Sequence, residues 1–479
     1  MSAPSRVAII GGGAAGAATA IQLARAPRPP DVVLVDRTGS FARGVAYGTA
    51  SPSHVLNVPA ARMSILPDDP EHFLRWARQR LGASVAPDAF LPRGLYGDYV
   101  ADTLTAVSAR GERRVTRFVC ADAIDLAPGT PVTVHCDDGT RVVADHVVLA
   151  LGNAAPAAPP VVDGAFYASA RYVASPWARG ALAAVAPDAP VLLIGSGLTT
   201  YDVALALRDR GHVGTMHVLS RRGLLPRPHA AAPLGVASGP APEHWLAVEP
   251  TVAALVGAVR KACEDGYDWR GVVESLRSVT PRLWQHLEGR ERKKFLARVR
   301  PFWDVHRHRA PLAVHRRIEA LLAAGVIRRH TGSVRAWRED ADGVTAVLDR
   351  GALTVAHVVN CTGPDTDVGR SPDPLVRALL ARGVIVRDPL GLGVETSEEG
   401  ALVGADGRAS ASLSTVGTWR RAGSWESVAV PEIRAQAAAL TRRIITDLPQ
   451  VNAAVRTQPF HVLARRPSRA HPPGPEAIG

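Results

Sequence analysis

The chain has 479 residues, 47% hydrophobic and 21% charged, a balance that excludes a disordered chain and provides for more than one core. Its formal charge of +12 rests almost wholly on arginine, since lysine occurs only at Lys261, Lys293 and Lys294. With no aromatic-studded basic stripe and no helix-turn-helix pattern, that charge reads as a bias of GC-rich coding more than a nucleic-acid surface, and attraction to anionic ligands is the milder reading.

Near the N-terminus, residues 7–10 (Val-Ala-Ile-Ile) form a short apolar run of the kind found in buried parallel strands. They lead into Gly11-Gly12-Gly13-Ala14-Ala15-Gly16, a G-x-G-x-x-G loop, and then a helical stretch over 17–24. Gly11 permits the tight turn, Gly13 admits a pyrophosphate close to the backbone, and Gly16 lets the helix pack on its strand. Ala14 and Ala15 supply the free N–H groups of a helix N-terminus. A second apolar run over 31–35 ends in Asp36-Arg37, where a ribose-binding acid is expected. The early run 7–23 is a strand and helix, not a signal peptide, because three adjacent glycines interrupt it. No apolar run reaches the about 20 residues that a bilayer span requires, so no membrane is expected.

Cys120, Cys136, Cys263 and Cys361 are scattered, with no C-x-x-C pair. That argues against a zinc site, a disulfide framework or a dithiol–flavin reductase, and for a reducing, cytoplasmic setting. Residues 141–148 read as a strand pair running into Leu149-Ala150-Leu151-Gly152.

A second unit begins at Pro190. The apolar run 191–194 leads into Gly195-Ser196-Gly197-Leu198-Thr199-Thr200, with Thr200 in place of the third glycine, so helix and strand should stand slightly farther apart. The following strand ends in Ser220-Arg221-Arg222. Two arginines where an acid would grip a 2′-hydroxyl suit a 2′-phosphate, hence NADPH, with NADH the alternative. The strand 357–360 closes this unit in a turn containing Gly363.

Between these lies a Pro/Gly/Ala-rich loop over 226–242, then helical spacing over 245–300 with charged faces. Residues 304–317 concentrate histidines and arginines without a metal-ligand pattern, so a basic surface or anion-facing helix is expected and no metal. The predicted fold class is α/β, with two Rossmann-like dinucleotide-binding domains and a helical insertion. The expected organisation is a first part of the FAD domain over 1–165 and a nicotinamide domain over 166–350, with its insertion at about 240–315. A second part of the FAD domain over 351–460 and a disordered tail over 461–479 follow.

Several further segments carry a resemblance: Gly44-Val45-Ala46-Tyr47-Gly48, His54 to Ala60, Asp69 to Trp76, Pro92 to Gly97, Trp303 to Arg307 and Trp425 to Arg434. Together with the glycine loop they resemble a family of bacterial FAD/NAD(P)-binding oxidoreductases. That family is distantly related to flavin-dependent N-hydroxylating monooxygenases and aspartate N-monooxygenases. The resemblance implies FAD at the first loop and a nicotinamide at the second. It also implies that the stretch holding Asn57, Val58 and Met63 lies along the flavin ring. Pro431 and Glu432 open a helix aimed at the flavin's pyrimidine end, where a dipole stabilises the charge of the reduced ring. Trp425 and Glu426, just upstream, are candidates to line the substrate cavity. Between the loops, Phe166, Ala168, Tyr172 and Pro176 stand where oxygenating relatives carry Phe-x-Gly-x-x-x-His. The departure argues against Baeyer–Villiger chemistry and leaves N-hydroxylation open.

The expected activity is FAD-dependent, NADPH-using hydroxylation of a small nucleophile, such as an amine or amino acid, with dioxygen activated on the reduced flavin. A reductase or dehydrogenase serving a partner or quinone, and a non-catalytic flavin sensor, are the alternatives. No sequence feature singles out a catalytic acid or base.

Overall fold

The computed structural model describes residues 5–110, 113–231 and 239–448. The expected tail at 461–479, and the end of the preceding segment, lie outside them.

Two sheets organise the chain. β1 (Arg6–Ile10), α1 (Ala14–Arg25), β2 (Asp31–Asp36), α2 (Arg93–Val107), β3 (Thr116–Cys120) and β4 (His146–Leu149) build the first. The second contains β5 (Tyr172–Val173), β6 (Val191–Ile194), α3 (Leu198–Asp209) and β7 (Met216–Ser220). The insertion then contributes α4 (Pro242–Leu246), α5 (Val252–Glu264), α6 (Trp269–Leu276), α7 (Thr280–His286), α8 (Gly289–Lys294) and α9 (Arg300–Arg307). After α10 (Leu312–Ala323), β8 (Ile327–Thr331) and β9 (His357–Asn360) complete the second sheet. β10 (Ala401–Val403), β11 (Ala409–Thr415) and α11 (Val430–Asp447) return to the first.

The first sheet has the order β10-β11-β4-β1-β2-β3 and the second β5-β9-β6-β7-β8. All their pairings are parallel except β10 with β11. In each, a glycine loop follows a central strand, which places both loops at the carboxyl ends where open parallel sheets bind ligands. The expected boundary at 350/351 needs correction. β9 pairs with β5 and β6, so the chain remains with the second sheet through Asn360. Its run His-Val-Val-Asn is fully buried after the first residue and completes that sheet's interior.

Alternation explains how β1 serves two cores. Val7 and Ile9 pack with Ala17, Ile21, Tyr96, Tyr99 and the apolar face of α11. Ala8 and Ile10 face the other way, against Leu126, Val132 and Val134 of a small antiparallel sheet. The small residues of α1 allow it to lie against both β1 and α11, which joins the two ends of the chain in one core.

Four histidines are held neutral chiefly by burial: His146, His217, His229 and His308 are each pushed down to about 4. The unfolded chain takes up their protons at the ordinary value, about 6.5, while the folded chain resists until about 4. Their contribution to stability is therefore complete above the ordinary value and is lost as pH falls towards 4. His146, whose Nε2 lies 2.9 Å from Ser414 Oγ, isolates the effect. His146→Gln should narrow the gap between urea midpoints measured at about pH 7 and about pH 5. An unchanged gap would contradict this assignment.

Candidate cofactor and substrate sites

The first loop accepts only glycine at its turning points. Gly11 has φ +103°, and a Cβ there would stand 2.3 Å from Ala150 O. A Cβ on Gly16 would stand 1.9 Å from Gly11 O. Gly12 N–H donates to Asp36 Oδ2 at 2.8 Å, while Oδ1 of the same carboxylate accepts from Thr38 N and Oγ1. Asp36 is thus fixed beside the loop at the end of β2. α1 starts on Gly13 with no side-chain cap and no acid in its first turn, so its opening N–H groups are free for a ligand. Around Gly13 a Cβ would meet only Gly44 Cα, at 3.5 Å. This uncapped helix end beside open space fits the pyrophosphate of FAD.

The second loop repeats the design with one change. Gly195 has φ +111° and abuts Cys361 O, 2.5 Å from its would-be Cβ. α3 starts on Gly197, again without cap or acid, and nothing among the described residues lies within 4 Å of a Cβ at that position. Thr200, buried behind half-exposed Thr199, donates its Oγ1–H to Gly195 O at 2.8 Å. The corresponding carbonyl of the first loop leaves no room for a Cβ, so Thr200 asks more space beside its loop than Gly16 does. Arg221 and Arg222 are exposed just beyond β7, and Arg222 Nη2 donates to Ala297 O of the insertion at 3.0 Å. Gly152 (φ +69°) and Gly363 (φ +88°) follow β4 and β9. Gly152 O accepts from Thr418 Oγ1 at 2.8 Å, which ties the end of β4 to the segment leading into α11.

The other expected site residues lie in varied surroundings. Met63, expected along the flavin, is 2% exposed and belongs to the core under α1 and α11. An unbranched apolar side chain following the short turn Ala60–Arg62 fills that core and has no surface left for a ring. Asn57 and Val58 stay half-buried, and Asn57 O accepts from His229 Nε2 at 3.0 Å. Arg37 is committed to Asp373 at 2.5 Å and Asp122 at 3.3 Å. Pro431 stands in the first turn of α11, as expected. Glu432 is held by the Arg277 guanidinium through two bonds, of 2.6 and 3.0 Å. Glu426 is buried against Arg307 at 3.0 Å, and Trp425 is 3% exposed, stacked on Trp284 with ring centroids 5.0 Å apart.

The segment 304–317, expected as a basic surface or anion-facing helix, turns two of its arginines inward. Arg307 and Arg309 are 8% and 5% exposed. Arg307 reaches Glu426 and lies 4.0 Å from Glu432, while Arg309 shares Glu274 with Arg62 at 2.9 and 2.6 Å. Burial alone would raise the Glu274 carboxyl, but Arg62, Arg277 and Arg309 hold it down at about 2. These ion pairs fasten the insertion to the N-terminus of α11 and to the stretch 52–62. The buried atoms Arg307 Nε, Arg309 Nε, Arg421 Nε and Ser427 Oγ have no partner among the described residues, so a polar ligand edge there would meet ready groups.

A cleft of about 1480 Å³ opens beside this network, with Pro59, Ala61 and Arg62 on one wall, Glu274 and Arg309 on another, and His229 between. A carbonyl only accepts, so His229 carries its proton on Nε2. Burial, with Arg309 nearby, pushes its pKa to about 4, leaving a neutral ring whose Nδ1 is an acceptor. Sequence reasoning missed His229, Arg62, Glu274 and Arg277, because they come from separate segments and no local spacing joins them. Among the described residues no group of three or more His, Cys, Asp or Glu is arranged to hold a metal, and all four cysteines are free.

Residues 8–154 match the model of a family described as FAD-NAD(P)-binding. The match covers the first glycine loop and most of its sheet, so this region is similar to FAD/NAD(P)-binding domains. No curated protein matches it by sequence. Among solved structures, it is similar to the ornithine hydroxylase of Pseudomonas aeruginosa at 15% identity, covering 93% of this chain and 100% of that one, with a TM-score of 0.63. For the cadaverine monooxygenase of desferrioxamine biosynthesis from Erwinia amylovora, the values are 14%, 96%, 99% and 0.64. For the bacillithiol disulfide reductase of Staphylococcus aureus they are 12%, 93%, 99% and 0.54. At these identities the likeness establishes the fold, that of two-domain flavoenzymes, and the expected distant relationship to N-hydroxylating flavoproteins is consistent with it. No described helix is long and apolar enough to cross a membrane.

Proposed function

We propose that this flavoprotein is an FAD-dependent, NADPH-using monooxygenase that hydroxylates a small nucleophilic substrate, an amine or an amino acid. The observation that carries the reading is the insertion, fastened by buried ion pairs over the N-terminus of α11, where the resemblance puts the flavin. A reaction that activates dioxygen needs a site from which water is shut out, and desolvated arginine–carboxylate pairs hold such a cover closed. Bound FAD supplies hydride acceptance from the nicotinamide and the activation of dioxygen.

The protein's own residues bind, orient and exclude. The N-terminus of α1 receives the pyrophosphate, with Asp36 beside it for the ribose. In this reading the domain facing it takes the nicotinamide nucleotide at Gly195, Gly197, Thr199 and Thr200. Arg221 and Arg222 meet its 2′-phosphate. The N-terminus of α11 would hold the ring end where the resemblance puts the flavin, and its dipole would stabilise the negative charge of the reduced ring. His229 offers a neutral acceptor in the cleft without competing for positive charge. The sequence carries no C-x-x-C pair to relay electrons, and the similar disulfide reductase supports the fold alone.

NADPH oxidation is measured over a panel of amines and amino acids, with hydrogen peroxide quantified alongside. Hydroxylated product in step with NADPH consumed is the expected result. Oxidation that follows an added quinone and ignores dioxygen would make the protein a reductase instead. Charge-assisted hydrogen bonds are worth about 1.5–3 kcal/mol, so Arg221→Ala with Arg222→Ala should lower kcat/KM for NADPH by roughly 10- to 150-fold. The value for NADH should hardly move. Equal losses for both nucleotides would remove the 2′-phosphate from the account.

A further inference from the structure

The insertion contains a second cavity that the proposed reaction does not use. It measures about 750 Å³, within the range of about 300–1,000 Å³ typical of small-molecule sites. α5, α6, α7, α9 and the turn between α8 and α9 surround it. Its walls are apolar and aromatic, including Trp269, Trp284, Trp303 and Trp425. Part of this lining packs as core, Trp284, Leu287 and Trp425 among it, while the rest is left open. Leu255, Val256, Trp269 and Phe295 stay half-buried and Phe302 is 49% exposed.

Two features give this groove a chemical preference. Residues Phe295–Val299 form a π-helical turn, a rare geometry that recurs at functional sites. Here it brings Phe295, Arg298 and Val299 to the same wall. Arg298 and Arg260 also line the cavity, and neither has an ion pair among the described residues. Neighbours on the same helices are paired, Lys261 with Asp265 and Lys294 with Glu291. Among the described residues, Glu264 is the only carboxylate in the lining, and it is exposed. Trp425 stacked on Trp284 forms part of the wall, and the groove shares no lining residue with the cleft at Arg62 and Arg309.

We propose that this groove binds a small anionic amphiphile, an alkyl or aryl carboxylate, with its apolar body among the tryptophans and its carboxylate at Arg260 and Arg298. The site is independent of the hydroxylation reading, and no bond is made or broken in it. An apolar chain gains by leaving water, and two unpaired guanidinium groups at the rim favour a carboxylate over an ammonium head.

The test uses the full-length, FAD-loaded protein titrated with decanoate, decylamine and decanol. Tryptophan fluorescence is the readout, with calorimetry for stoichiometry. Decanoate should saturate at one equivalent and bind at least about tenfold more tightly than decylamine. Val256→Trp, which fills the half-exposed groove, should remove saturable binding while FAD content stays unchanged. Arg260→Glu with Arg298→Glu should abolish the preference for decanoate and retain binding of decanol. Equal binding of decanoate and decylamine would overturn the proposal, as would decanoate binding that persists in Val256→Trp. A concentration-dependent dimer that Val256→Trp dissolves would overturn it too, by making a second copy the occupant.

Discussion

Gly16→Ala should yield a folded protein that no longer retains FAD through purification. The added methyl would stand 1.9 Å from Gly11 O, a backbone oxygen in a loop already turned through φ +103°. Neither partner can swing aside as a flexible side chain would, so α1 must move away from β1 or the loop must open. Overpacking of this kind costs about 1–3 kcal/mol, and here the cost falls on the geometry that presents N–H groups to the pyrophosphate. FAD affinity should drop by roughly 5- to 150-fold. The visible flavin absorbance per polypeptide reports this directly, and far-ultraviolet circular dichroism checks the fold. Normal flavin content in this variant would show that the loop does not approach its ligand closely.

Glu426→Gln should produce the second large effect. It leaves Arg307 buried, with Glu432 at 4.0 Å as its remaining carboxylate. Removing one partner of a buried ion pair typically costs about 3–5 kcal/mol, because the stranded charge keeps its desolvation penalty. Urea denaturation should register a loss towards the lower end of that range. The double variant Glu426→Leu with Arg307→Met should recover most of it, since an apolar pair of similar volume removes the penalty from both sides. In turnover, Glu426→Gln should divert NADPH electrons to hydrogen peroxide, because a loosened insertion admits water. Unchanged stability together with unchanged peroxide yield would show that this pair does not hold the cover.

The two glycine loops were legible because a cofactor phosphate imposes its demands on a few adjacent residues. Gly11, Gly16 and Gly195 each stand where a Cβ would strike a carbonyl, and that requirement is written locally. The exchange of Gly16's counterpart for Thr200 was equally readable, and its hydroxyl donates to the carbonyl of Gly195. What lay beyond reading was the network at the cover. Arg62, Glu274, Arg277, Arg307, Glu426 and Glu432 come from the two ends and the middle of the chain. Their pairing depends on how the insertion docks, which no periodicity encodes. Met63 misled for a related reason. An apolar residue in a turn-rich stretch suits a ring face and a core equally well, and only the packing of α1 and α11 selects the core. The segment 304–317 showed its charge but not its direction, since burial of Arg307 and Arg309 depends on carboxylates far away in sequence.

The central claim is tested most directly by mixing the FAD-loaded protein with NADPH in the absence of dioxygen and following the visible flavin absorbance. The arrangement of two glycine-loop helices with Arg221 and Arg222 beyond β7 predicts bleaching by NADPH, markedly faster than by NADH. A flavin that stays oxidised with both nucleotides would contradict it.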